Sequence, residues 1–202
     1  NSLSMSGNLF PISDRLLKQS DRESLVGQSA KVIWMCGLSG SGKSTLATAL
    51  ERKLFSQKRL VYVLDGDNIR KGLSSGLSFS GEDRRENIRR IAEVSKLFVD
   101  AGVILINSFI TPKADLREMA RETIGKDNLV EVYVKASFET CMKRDVKGLY
   151  AKADKGLVPQ FTGKDSGFEE PTDSDLVIDT EAQSVEESLK LLFQFVSPLI
   201  DI

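Results

Sequence analysis

Gly37-Leu38-Ser39-Gly40-Ser41-Gly42-Lys43-Ser44 fits the spacing G-x-x-x-x-G-K-[ST], with an apolar run before it and a helical pattern after it. The chemistry implied is phosphate binding. Glycines let the backbone curl so that successive N–H groups point inward at phosphate oxygens, and the following helix adds the positive end of its dipole. Lys43 would reach the β- and γ-phosphates of a nucleoside triphosphate, and the Ser44 hydroxyl would sit on Mg²⁺. A Gly/Ser turn between strand and helix is the plainer alternative, but the whole pattern with both flanks correct disfavours it. The loop leaves open what receives the phosphate.

Carboxylates near such a loop serve the metal or the attacking hydroxyl. The third apolar run, residues 103–106, ends in Asn107-Ser108 without an acid. The acids close the second run instead, as Asp65-Gly66-Asp67. At the C-terminal edge of a parallel sheet they would face the crevice where ligands bind; a simple Asp-Gly turn is the competing reading. Arg70 follows three residues after Asp67, and Arg84 and Asn87 share one face of the next helix near its N-terminus, where an anion is favoured. Arg85, Arg89 and Arg90 are interleaved with Glu82, Asp83 and Glu86 and read as a solvated, ion-paired helix end. Phe79 and Phe161 lie in otherwise polar surroundings. Docking onto the core accounts for such rings; stacking on a nucleobase is the alternative. No N-K-x-D guanine signature is present, which favours a small-molecule kinase over a GTPase.

The elements that must position these residues alternate. Apolar runs at 31–36, 60–64, 103–106, 129–134 and 176–178 read as strands. Helical periodicity covers 13–26, 43–58, a helix opened by the S-x-x-D box at Ser80, then 114–123, 138–144 and 185–200. Residues 145–171 show no sustained period and read as a lid or an irregular loop. Alternation of this kind implies a parallel sheet with helices on both faces.

Composition narrows the chemistry. The 202 residues suit one compact domain with a real core. With 28 Lys+Arg against 29 Asp+Glu, a basic nucleic-acid binder is not expected. The complete absence of His excludes His-based nucleophile systems, His zinc sites and a His general base. Cys36 and Cys141 are too few and too far apart for a Cys-rich metal site or a disulfide framework, so a reducing cytoplasmic setting is expected. The apolar runs are far shorter than a membrane span, and the first 30 residues lack a secretory apolar core. Asn1 is not a natural start, so residues 1–4 ahead of Met5 are expected to be foreign to the natural chain.

The stretches GLSGSGKST (37–45), LDGDNIRKGL (64–73), LSFSGEDRRENIRRIAEVSKLFVDAG (77–102), SFITP (108–112), RDVKGLYAKADKG (144–156) and FTGKD (161–165) resemble the adenylyl-sulfate kinase (APS kinase) family, in family order over most of residues 31–180. The resemblance implies a three-layer α/β/α P-loop nucleoside triphosphate hydrolase-type fold, with a mainly parallel five-stranded sheet and a lid over about 145–168. It implies an N-terminal extension at 1–30 and a kinase domain at 31–202. It implies transfer of the ATP γ-phosphoryl group to the ribose 3′-hydroxyl of adenylyl sulfate, with Mg²⁺, in sulfate assimilation, by a homodimer with a functional link to ATP sulfurylase. By the same resemblance Gly37, Leu38, Ser39, Gly40, Ser41, Gly42, Lys43, Ser44 and Thr45 would hold ATP phosphates, Arg144 would lie near its adenine, and Asp65 would be the metal-side carboxylate and general base. Asp67, Arg70, Phe79, Arg84, Asn87, Ile110, Lys147 and Phe161 would hold adenylyl sulfate, with Phe79 and Phe161 sandwiching its adenine. Thr111 stands where the family has a phosphoserine position, and direct transfer is the expectation. The rival readings are another P-loop nucleotide or nucleoside kinase, which would not need the sulfate, and a silent nucleotide-binding module, which would bind without turnover.

Overall fold

A computed structural model of the chain describes residues 12–145, 148–154, 162 and 167–202. Five strands, β1 (Val32–Cys36), β2 (Val61–Asp65), β3 (Ile104–Ser108), β4 (Leu129–Lys135) and β5 (Leu176–Asp179), form one sheet in the order β2-β3-β1-β4-β5. Every pairing is parallel. Parallel strands need crossovers, and helices supply them on both faces. The α-helices of the described residues are α1 (Gln19–Val26), which precedes β1, the connecting α2 (Lys43–Ser56), α3 (Gly66–Lys71), α4 (Gly81–Asp100), α5 (Ala114–Ile124), α6 (Phe138–Arg144) and α7 (Leu149–Asp154), and α8 (Val185–Ile200), which follows β5.

All of β1 is buried, because it lies at the centre of the sheet. Its alternate residues feed two cores. Val32, Trp34 and Cys36 join Ile88, Ile91, Leu116 and Ala120 of α4 and α5. Ile33 and Met35 join Leu46, Leu50, Leu192 and Val196 of α2 and α8. Strand β4 alternates in the same way, which sends Glu131 to the α5 side between Leu129 and Tyr133. From β1 the chain first fills one side of the sheet, with β2 and β3, and then the other, with β4 and β5. The crevice beyond the C-terminal ends at such a reversal is where ligands bind in open α/β sheets. No helix among the described residues is long and apolar enough to cross a membrane.

The expected strands and main helices are present, with shifts that matter at the site. Strand β3 runs two residues past 106 and so carries Ser108 into the sheet beside Asp65. The segment 13–26 is not one helix: a 3-10 turn at Ser13–Arg15 gives way to extended backbone at Leu16 and Lys18 before α1 begins. Leu16, Leu17 and Leu25, which would give a single helix there an apolar side, are exposed to solvent. Polar contacts tie this arm down instead: Arg22 donates to the carbonyls of Leu17 and Asp100, and Gln28 donates to those of Leu60 and Gly102. At the Ser80 box only the forward bond forms, from Asp83 N–H to Ser80 Oγ at 3.1 Å. The Asp83 carboxylate turns back to accept from the Ser78 N–H and hydroxyl. Helices α3 and α7 were not anticipated. Each has six residues, too few to display a periodic apolar face.

Candidate functional site

The phosphate loop joins β1 to α2. Gly37 has φ of 147°, and a Cβ there would sit 2.4 Å from the Val134 carbonyl oxygen. At Gly40 (φ 82°) a Cβ would meet the Cys141 carbonyl at 3.0 Å. Only glycine lets the loop pass this close to β4 and α6. Lys43 is nearly buried and donates to the carbonyls of Gly37 (2.9 Å) and Leu38 (2.7 Å), so its ammonium lies inside the loop. The loop is braced from outside. Arg144 donates to the Gly40 carbonyl at 3.3 Å and to the Thr180 carbonyl at 2.7 Å. Thr180 Oγ1 donates to the Ser41 carbonyl at 2.8 Å, and the Tyr150 hydroxyl donates to the Ser39 carbonyl at 2.7 Å. Burial pushes the Tyr150 phenol pKa up, which keeps it a donor.

Asp65 closes β2 opposite Ser108 of β3. Its Oδ2 accepts from the Ser44 hydroxyl at 2.8 Å, and Ser44 Oγ lies 3.2 Å from Ser108 Oγ. Its Oδ1 accepts from the Asp67 N–H at 3.0 Å and so caps α3. Three oxygen-bearing side chains from α2, β2 and β3 therefore meet at the mouth of the loop. An all-oxygen set that includes a carboxylate and the loop serine suits a hard cation such as Mg²⁺ accompanied by a triphosphate.

The cleft has a volume of about 560 Å³ and runs from the phosphate loop past Asp65 to α4. At its far end Arg70, Phe79, Arg84 and Asn87 come together. The Arg70 guanidinium lies 4.1 Å from the Phe79 ring centroid and donates to the Leu77 and Ser78 carbonyls. Arg84 donates to the Phe79 carbonyl at 2.9 Å and to Thr162 Oγ1 at 2.5 Å. Burial lowers the pKa of both guanidiniums, and the charge of Arg70 lowers that of Arg84 further. Two cations held together under partial desolvation favour an anionic guest, with Asp67 and Asp83 offsetting part of the charge on Arg70. Asn87 is nearly buried, and its Oδ1 has no hydrogen-bond partner among the described residues. Arg85, Arg89 and Arg90 stay outside; Arg89 and Arg90 pair with the interleaved Glu86 as expected, whereas Arg85 pairs with Asp115 of α5.

Ile110 borders the cleft, and its carbonyl accepts from the Gly37 N–H at 3.2 Å. Thr111 is only 2% exposed, and its Oγ1 accepts from the Trp34 indole N–H at 3.0 Å. Its hydroxyl is thus a structural acceptor against the core. Lys147, Phe161 and most of the expected lid lie outside the described residues. Several cleft residues escaped sequence reasoning. Thr180 carried a usable signal, because it directly follows a strand at the C-terminal edge. Tyr150 and Thr162 sit inside the KGLY and FTG stretches but had no assigned task. Ser108 carried the same end-of-strand signal, closing the third apolar run, and Gln183 carried none.

The family model for adenylylsulphate kinase matches residues 29–179. The adenylyl-sulfate kinase of Bacteroides thetaiotaomicron is 54% identical over 194 residues, which is 96% of each chain. Among solved structures, the APS kinase of Mycobacterium tuberculosis in complex with AMPPNP and APS superposes with a TM-score of 0.80 at 40% identity, covering 84% of this chain and 98% of that one. A hexameric APS kinase from Thiobacillus denitrificans matches with a TM-score of 0.64 at 28% identity, over 85% of this chain and 29% of that one. The fold, the loop and the matched stretches agree, and the chain belongs to the adenylylsulphate kinase family.

Proposed function

We propose that this protein transfers the γ-phosphoryl group of ATP to the ribose 3′-hydroxyl of adenylyl sulfate, giving 3′-phosphoadenylyl sulfate and ADP. The observation that carries the reading is one continuous cleft with a phosphate loop at one end, an arginine-and-aromatic pocket at the other, and Asp65 between them. Residues 37–45 hold the phosphates through loop N–H groups, and Lys43 leaves its loop carbonyls for phosphate oxygens. Arg144 lies toward the ATP base. Arg70 and Arg84 neutralise the phosphosulfate, Phe79 stacks on the acceptor adenine, and Asp67, Asn87 and Ile110 orient the nucleoside. The family resemblance assigns Lys147 and Phe161 to the same substrate, and both lie outside the described residues. The 3′-oxygen bonds to the γ-phosphorus as the bond from that phosphorus to the β–γ bridging oxygen breaks, and the hydroxyl proton passes to the Asp65 carboxylate.

Mg²⁺ fits beside Ser44 and Asp65, where it would neutralise charge on the β- and γ-phosphates. Thr111 keeps its hydroxyl on Trp34, which supports direct transfer over a phosphoenzyme. The domain reading keeps the kinase unit at 31–202, with 1–30 as an extension. The chain acts as a cytoplasmic homodimer in sulfate assimilation, supplied by an ATP sulfurylase and bound to neither nucleic acid nor membrane. Product analysis tests the reaction: the protein is mixed with ATP, Mg²⁺ and adenylyl sulfate, with AMP as control acceptor, and phosphate position is resolved. Formation of 3′-phosphoadenylyl sulfate with little transfer to AMP is expected. ATP binding without product would favour a silent module, and equal transfer to AMP would favour a general nucleotide kinase.

A further inference from the structure

The turn that leaves β3 is strained and is held from behind. Thr111 has φ of 43°, a left-handed conformation that β-branched residues rarely adopt. Such a conformation persists only where its surroundings over-determine it. Here the Trp34 indole N–H holds the Thr111 hydroxyl at 3.0 Å, and the Arg117 guanidinium donates to the Thr111 carbonyl at 3.1 Å. On either side, the Ile110 carbonyl accepts from Gly37 N–H and the Pro112 carbonyl accepts from Glu169 N–H.

Arg117 is itself fixed. It is 7% exposed, and its Nε lies 3.3 Å from Glu131 Oε1. Glu131, 4% exposed on the α5 side of β4, also takes Arg121 from one helical turn later at 3.3 Å. A buried ion pair of this kind adds little stability over a well-packed apolar pair, so stability alone is a poor reason for it. A planar guanidinium with one edge on a carboxylate and another on a backbone carbonyl is, however, a rigid strut.

We infer that Arg117, locked by Glu131, is a positioning residue that holds the 108–112 turn in the strained shape with which Phe109, Ile110 and Pro112 wall the acceptor end of the cleft. The inference rests on the reading of that cleft as the adenylyl-sulfate site. The phosphate loop shares the bond from Gly37 N–H to the Ile110 carbonyl with the turn, but it is also held by Arg144, Thr180 and Tyr150, which do not depend on the turn. Loosening the turn therefore acts more on the acceptor than on ATP.

Steady-state kinetics on the full chain, following 3′-phosphoadenylyl sulfate, provide the test. Misplacement of a pocket wall by about 1 Å is enough for large losses, so Arg117→Met is expected to raise the KM for adenylyl sulfate about tenfold or more while the KM for ATP stays within about twofold. Arg117→Lys keeps the charge without the fork and falls between. The double variant Arg117→Met/Glu131→Gln recovers part of the lost melting temperature but keeps the raised acceptor KM. Recovery of KM together with stability would show a merely structural role and overturn the inference, as would an unmoved acceptor KM in Arg117→Met. If that variant does not fold, Arg117→Lys carries the test, because it keeps a charge beside Glu131 without the fork that also reaches the Thr111 carbonyl. It is expected to raise the acceptor KM severalfold, and an unchanged KM overturns the inference. A wild type that makes no product overturns the functional reading and the inference with it; an active wild type with unmoved variants overturns the inference alone.

Discussion

Replacing Asp65 separates its two tasks. One oxygen accepts from Ser44 Oγ at 2.8 Å, and the other caps α3 through Asp67 N–H at 3.0 Å. Asp65→Asn is nearly isosteric. Its amide oxygen still caps, since Asn is as good an N-cap as Asp, and its NH₂ can donate to the Ser44 hydroxyl. Only the negative charge and the proton-accepting capacity are lost. A positioned general base contributes roughly 10²–10⁴ in rate, so kcat is expected to fall by that factor. Asp65→Ala loses the cap as well, at about 1 kcal/mol. For a chain of this size that lowers Tm by roughly 2–4 °C. The assay pairs ADP release under saturating substrates with calorimetric melting. Expected are two variants with similarly low kcat, little change in ATP binding, and a Tm loss in Asp65→Ala alone. An Asp65→Asn enzyme within about threefold of wild-type kcat would refute the reasoning and leave Asp65 as a helix cap, because a true base is worth far more.

Gly37→Ala places a Cβ 2.4 Å from the Val134 carbonyl at a φ of 147°. Nucleotide affinity should drop by roughly 10²-fold or more with a lowered Tm, read by titration calorimetry with ADP and by melting, since backbone strain of this kind costs about 1–3 kcal/mol before the clash is counted. Hydrogen bonds from Arg89 and then Arg90 hold the Glu86 carboxyl at about 2 against an ordinary 4.5. Hydrogen bonding also depresses Asp83, Glu169, Glu181 and Glu187. A depressed carboxyl binds fewer protons folded than unfolded, so its stabilisation is present above 4.5 and is lost as pH falls toward 2. Melting scans should show Tm flat above that window and falling within it; a Tm that rises on acidification would contradict the assignment. Burial pushes the Cys36 thiol up to about 12 and raises Cys141 as well, and both side chains are fully buried. At about pH 8 iodoacetamide should label neither cysteine in the native protein and both in guanidinium, because the thiolate is the reactive form.

The phosphate loop was legible because everything it needs is contiguous: glycines, lysine and serine at fixed offsets between an apolar run and a periodic helix. The five strands and the longer helices were legible for the same reason, since periodicity along the chain reports which face is buried. The cluster of Arg70, Phe79, Arg84 and Asn87 could be named from matched stretches and local spacing, and the fold brings those four together on one cleft. Other features depend on contacts distant in sequence. The pairing of β2 with β3 puts Asp65 opposite Ser108, and the reach of α2 puts Ser44 between them. Thr180 and Tyr150 meet the phosphate loop only because β5 and α7 are packed beside it. The burial of Glu131, and the strain at Thr111 that Arg117 sustains, come from where β4, α5 and the β3 exit are brought together. Periodicity sets each element and its buried face; strand order and the packing of non-neighbouring elements, which bring distant polar groups within hydrogen-bond reach, are settled only when the chain closes on itself.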